Sequence, residues 1–195
     1  MGKIFYLMGK SASGKDTIHS ALLEDRSLDL KRVVLYTTRP RRKGETEGIE
    51  YHFVTEEQLS ELESENRIIE VRHYDTVHGI WSYATVDDGS LDTSDHNYLA
   101  IGTLESYVKL RNHFGEDKVF PLYIEVEDGI RLRRALDREM KQEHPRYQEM
   151  CRRFLADSED FSEEKLSEAG IERRFLNTDL DKCIDEIKLC INKGL

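Results

Sequence analysis

The sequence predicts an α/β fold: a parallel sheet in a three-layer α/β/α core, with helices on both faces. Three observations predict it. Short apolar runs of strand length recur along the chain, helical segments with an apolar stripe alternate with them, and a glycine-containing turn joins the first strand directly to the first helix. Residues 3–8 read as a fully buried strand, 9–15 as a loop, and 16–23 as a helix with Ile18, Ala21 and Leu22 on one face. Residues 32–36 form a second short strand. Residues 37–48 are basic and contain glycine, which suggests an exposed functional loop, and 51–54 are strand-like again. Thr55 with Gln58 makes a capping box ahead of a short helix carrying Leu59 and Leu62. Residues 68–71 read as a strand and 85–95 as an acidic, turn-rich connector. Strands at 98–101 and 119–126 flank a helix around 104–112. Asp128 is expected to cap a long helix with Ile130, Leu132, Ala135 and Leu136, which breaks near His144-Pro145 and resumes at 150–154. Residues 174–177 are the last strand, and Leu180, Cys183, Ile184, Ile187 and Ile191 form the apolar stripe of the final helix.

At 195 residues the chain suits one domain with small excursions. Its 38% hydrophobic content supports a core beneath a surface supplied by 35% charged residues. The apolar runs at 4–8 and 119–126 are far too short to cross a bilayer, so no membrane role is expected. The apolar start ends in glycine with no small-residue cleavage pattern, and reads as a buried strand, not a leader. Cys151, Cys183 and Cys190 show no CxxC pairing, which fits reduced thiols in a cytoplasmic protein, monomer or homodimer. A net charge of −10 repels nucleic-acid backbones. Any phosphate-binding site must therefore be a local concentration of Arg and Lys.

One such place is Gly9-Lys10-Ser11-Ala12-Ser13-Gly14-Lys15, which fits G-x-x-x-x-G-K between a strand and a helix. Glycines let backbone N–H groups turn inward around a phosphate, the helix N-terminus adds partial positive charge, and Lys15 reaches the outer phosphates of ATP. The ATP-binding set is thus Gly9, Ser11, Ala12, Ser13, Gly14, Lys15, Asp16 and Thr17. Asp16 stands where a hydroxyl would normally ligate Mg2+, so Thr17 is the candidate for part of that role.

A second basic segment, Thr37-Thr38-Arg39-Pro40-Arg41-Arg42-Lys43-Gly44-Glu45, is followed by Gly48-Ile49-Glu50-Tyr51-His52-Phe53. Two arginines three apart present planar forks that can grip a dianionic phosphate. This segment, about thirty residues after the loop, resembles the monophosphate-binding segment of the guanylate kinases, T-T-R-x-P-R-x-G-E and then G-x-D-Y-x-F. The resemblance implies a P-loop kinase moving the γ-phosphate of ATP to a nucleoside monophosphate, most simply GMP. It implies that Arg39, Arg42 and Tyr51 bind the acceptor phosphate and that Glu70 reads guanine, accepting from N1–H and the exocyclic amine. The pattern also departs: Leu35 stands for a base-reading serine, 99–102 contain no acid, and 74–83 are longer than the family's G-N-Y-Y-G-T, with Ser82 and Tyr83 as stand-ins.

The resemblance further implies lid arginines. Arg131, Arg133, Arg134 and Arg138 lie on one predicted helix, Arg152 and Arg153 on the next, and Arg138 and Arg152 join Lys15 as catalytic candidates. Asn177 matches a family position near the ATP base. The expected organisation is a core of 1–35, 85–137 and 149–195, an acceptor-binding insertion of 36–84 and a lid of 138–148. Two alternatives follow: a kinase for another phosphorylated acceptor (another nucleoside monophosphate or a ribose bisphosphate), motivated by Leu35 and the missing acids, and a non-catalytic guanylate-kinase-like interaction module, which the presence of Lys15 argues against.

Overall fold

The computed structural model describes residues 2–76 and 79–193. Its core is a five-stranded sheet, parallel throughout, built from β1 (Ile4–Met8), β2 (Leu30–Arg32), β7 (Asn97–Gly102), β8 (Val119–Glu125) and β9 (Arg174–Leu176), in the order β2-β7-β1-β8-β9. Every residue of β1 is buried because the strand is central and covered on both faces. Successive side chains alternate. Ile4, Tyr6 and Met8 pack with Tyr107 and Leu110 of α3 (Leu104–Phe114) and Leu166 of α6 (Glu163–Glu168). Phe5 and Leu7 pack with Ile18 and Leu22 of α1 (Lys15–Glu24) and with Cys183, Ile187, Cys190 and Ile191 of α7 (Leu180–Lys193). All three cysteines are free thiols, and Cys151 is exposed.

A second sheet is inserted between β2 and β7. It contains β3 (Leu35–Thr37), β4 (Tyr51–Phe53), β5 (Ile68–Thr76) and β6 (Gly79–Val86), in the order β4-β3-β6-β5. Only β3 and β4 run parallel. One face packs on α2 (Glu56–Ser64) through Leu59, Ala84 and Val86. The expected capping box of α2 is present, with both the Thr55 and Gln58 bonds made.

The strand expected at 32–36 is two strands in two sheets. Val33 N–H still bonds the Leu99 carbonyl of the core, whereas Leu35 already pairs with Tyr51 of the insertion. Nothing in the local composition marks that crossing. The strand expected at 68–71 continues to Thr76 and forms a hairpin with β6, through polar residues that conceal its alternation. Val77 and His78, part of the 74–83 segment compared above, lie outside the described residues. Asp128 does not cap the next helix. Glu127 does, its carboxylate accepting from the Gly129 and Ile130 N–H groups, and Asp128 is the first residue of α4 (Asp128–Met140). The helix breaks before His144-Pro145 as expected and resumes as α5 (Tyr147–Asp160). No helix among the described residues is long and apolar enough to cross a membrane.

Candidate active site

The loop between β1 and α1 takes left-handed backbone at Ala12 (φ 61°) and Gly14 (φ 88°). Gly14 is required twice over, because a Cβ there would collide with the side-chain amide of Asn177. That amide, buried at 2% exposure, donates to the Ser13 carbonyl at 2.7 Å. Asn177 therefore braces the loop from beneath instead of lying open beside it. On the other side, Ser11 N–H donates to Asp157 Oδ2 at 2.7 Å and the Ser11 carbonyl accepts from Arg131 Nη1 at 3.0 Å. Arg131 is fully buried, ion-paired to Asp128 and Asp157 and set over the Phe154 ring. Lys15 is half-buried and has no ion-pair partner among the described residues. Asp16 and Thr17 are exposed and line a groove of about 540 Å³ with Ser20 and Glu24. No group of three metal-ligating side chains occurs among the described residues.

The second sheet presents one face to the opposite side from α2. Register places Glu70 opposite Thr85, Arg72 opposite Tyr83, Tyr83 opposite Thr37 and Leu35 opposite Tyr51, and directly paired residues share a face. Arg39, 3% exposed, lies beside that face with its guanidinium 5.3 Å from the Tyr51 ring centre and 5.7 Å from that of Phe53. Glu45 holds it through a two-pronged pair at 2.7 and 3.0 Å, which raises the Arg39 pKa and lowers that of Glu45. Tyr83 stacks edge-on against both Tyr51 and Tyr74. Arg42 is exposed at the turn, where its backbone N–H donates to Glu45. Ser82 does not join this group: strand parity points it to the other face, where it is fully buried against His73. Thr85, three residues on and so of opposite parity, is the hydroxyl on the open face.

Glu70 is 3% exposed and accepts from Thr85 Oγ1 at 2.9 Å, from Ser106 Oγ at 3.0 Å and from Arg72 Nε at 3.1 Å and Nη2 at 3.4 Å. Ser106 lies in the first turns of α3 and also hydrogen-bonds Tyr6, whose hydroxyl burial pushes far above its usual range. The same hydroxyl fills the space above Gly102, where any Cβ would strike it. An acid at position 102 is thus sterically replaced by Tyr6.

The two clusters meet at one edge. Met8 and Gly102 are register partners, so the loop after β1 and the start of α3 emerge together at the carboxyl end of the core sheet, and the Glu70–Ser106 bond ties the second sheet to that edge. Beside that edge, between β5, α3 and the α5–α6 segment, a cavity of about 740 Å³ is lined by Arg72, Tyr74, Lys109 and Lys165 together with the acids Glu105, Asp160 and Glu168, and by none of residues 9–15. The arginines of α5 stand away from it. Arg152 and Arg153 are exposed and both pair with Glu149, at 2.7 Å each, and the Arg152 pairing foremost pulls the Glu149 carboxyl down to about 2. Arg138 is exposed at the end of α4, and Arg134 donates to the Asn177 carbonyl.

A guanylate kinase family model matches residues 1–89, the stretch holding both the loop and the Arg39 segment. Guanylate kinase from Zymomonas mobilis is 26% identical over 96% of this chain and 82% of its own length. The enzyme from Oceanobacillus iheyensis is 36% identical over 68% of this chain and 52% of its own length. Over these stretches the chain is similar to the guanylate kinases. The higher identities are local: 44% to the guanylate kinase of Mycoplasma mobile, over 40% of this chain and 39% of that protein. A crystal structure of guanylate kinase from Anaplasma phagocytophilum superposes with a TM-score of 0.63 at 24% identity, covering 98% of this chain and 85% of that one, and shares the fold. Within a guanylate kinase fold, the sequence left Thr85, Ser106, Tyr6, Arg72 and Asp157 unassigned, and gave Glu45 only as part of the motif. A polar strand alternation beyond Glu70 was the available signal for Arg72 and Thr85. The others join the site only through tertiary packing.

Proposed function

We propose that this protein is a cytoplasmic kinase that transfers the γ-phosphate of ATP to GMP. The observation that carries this reading is a buried carboxylate, Glu70, on the same sheet face as Tyr51 and Tyr83 and tied to the edge where the Gly9–Lys15 loop opens. A carboxylate meets the N1–H and exocyclic amine of guanine and rejects adenine, which lacks that amine. Arg39, Arg42, Tyr51 and Tyr83 take the acceptor's 5′-phosphate, and the loop amides with Lys15 take the donor's phosphates. ATP arrives with a divalent cation, Mg2+ in our reading. The exposed oxygens of Thr17 and Asp16 on the first turn of α1 fit it, since Mg2+ retains several waters and takes few protein ligands. The ion supplies neutralisation of phosphate charge.

The acceptor oxygen is already ionised, so the reaction asks for positioning and charge stabilisation, with no general base. Lys15 and the arginines of the 138–148 lid region and α5 provide it. Arg138 and Arg152 close over the transferring group, Arg152 leaving Glu149 to Arg153, and exclude water that would otherwise hydrolyse ATP. The test is ADP release with ATP against GMP, dGMP, AMP, UMP and CMP. We expect GMP to dominate, Glu70→Ala to erase that preference, and Lys15→Ala to remove turnover while leaving the melting profile intact. Comparable turnover of all acceptors by the unaltered protein overturns the guanine assignment, and full turnover in Lys15→Ala overturns the donor site.

A further inference from the structure

The base-reading carboxylate is not waiting empty. A carboxylate offers roughly four lone-pair positions, and those of Glu70 are filled by Thr85, by Ser106 and twice by Arg72. The two Arg72 bonds come from adjacent nitrogens of one planar group. That is the fork guanine itself would present with N1–H and its exocyclic amine. The hydroxyls of Thr85 and Ser106 are fixed by the sheet register and by α3, so Arg72 is the partner free to exchange.

Three further features bear on Arg72. Its Nη1 has no hydrogen-bond partner among the described residues, and the side chain lines the 740 Å³ cavity. It stands opposite Tyr83, between Glu70 and the Tyr51–Arg39 cluster, and its charge reaches both Tyr6 and Tyr51. The rest of the face offers guanine few other donors: position 35 is Leu35, and the space above Gly102 is taken by Tyr6. A guanine held by Glu70 at N1–H and the amine turns its O6 and N7 toward the neighbouring residue of the same face, and arginine is the side chain best matched to that pair of acceptors.

We propose that Arg72 is a specificity-determining residue of the acceptor site: it holds the place of guanine on Glu70 in the free protein and, when the base arrives, donates to its O6/N7 edge. This rests on the reading of GMP as acceptor. It makes the pocket read guanine with a carboxylate and a guanidinium side by side.

The experiment compares GMP with 6-thioguanosine monophosphate, which keeps N1–H and the amine but carries a weakly accepting sulfur in place of O6. Wild type is expected to prefer GMP in kcat/KM by about 10-fold or more. Arg72→Met is expected to lower kcat/KM for GMP by about 10- to 100-fold and to bring the GMP to thio-GMP ratio close to one. Because the ratio is taken within one preparation, it does not depend on how much of the variant folds. Arg72→Lys, which keeps the charge and loses the fork, is expected to lose most of the ratio as well, and serves if Arg72→Met is inactive with both. An unchanged ratio in either variant, or GMP used better by Arg72→Met than by wild type, overturns the proposal. Absence of GMP turnover in wild type instead removes the GMP reading beneath it.

Discussion

At the scale of single residues, the loop that faces the donor is held by side chains distant in sequence, and Asn177 is the clearest case. Its Nδ2 meets the Ser13 carbonyl at 2.7 Å while its Oδ1 is buried without a partner among the described residues. Removing the amide leaves a buried carbonyl unpaired, which costs about 1–3 kcal/mol. Asn177→Ala is therefore expected to lower the melting temperature of the free protein by roughly 2–10 °C for a chain of this size. It should also weaken ATP binding indirectly, because the loop is no longer preorganised. Thermal melts with and without ATP separate this from the family's usual placement of the residue near the ATP base. A variant that melts like wild type but binds ATP weakly would mean that Asn177 touches the nucleotide and does not brace the loop.

At the scale of elements, α5 carries the argument. Glu149 holds Arg152 and Arg153 on an exposed helix face, and exposed ion pairs of this kind contribute only about 0–1 kcal/mol. Arg152→Ala should leave the melting temperature within about 2–3 °C of wild type. If Arg152 closes on the transferring phosphate, kcat should fall about 100-fold or more with little change in KM. A drop in stability with an unchanged kcat would make the arginine a structural strut. The contrast between α5 and the hairpin β5–β6 shows what the sequence could disclose. Gly9–Lys15 was legible because its chemistry is contiguous: strand, glycines, lysine and helix follow one another, and the Arg39 segment likewise reads in one piece. The pocket around Glu70 is assembled from β1, β5, β6 and α3, and no local pattern announces that Tyr6, Arg72, Thr85 and Ser106 will meet. Nothing local separates the hydroxyl of Ser82 from that of Thr85, and only the register decides which of them shares the open face. The crossing at Val33 was illegible for a simpler reason, since the apolar run continues unbroken from one sheet to the other.

At the scale of the whole molecule, stability rests on the five-stranded core, and one titratable group inside it sets a pH dependence. His19 on α1 is 7% exposed, bonded to the Leu99 backbone, with its Nε2 buried and unpartnered among the described residues. Burial foremost, with Arg32 adding repulsion and Asp16 opposing, lowers its pKa from 6.5 to about 4. The folded protein thus refuses a proton that the unfolded chain accepts below pH 6.5. The stabilising effect of a neutral His19 is complete above pH 6.5 and is lost progressively as the pH falls toward 4, by about 3 kcal/mol in all. The exposed carboxylates held low by basic partners, Glu149 among them, lose their contribution only at lower pH, so the two windows separate. Urea unfolding between pH 7 and 4.5 should show a falling midpoint at near-constant m. In His19→Gln, which keeps a neutral polar side chain, the decline should flatten by up to one proton's worth of slope. An identical decline in the variant would place the acid sensitivity of this core somewhere other than α1.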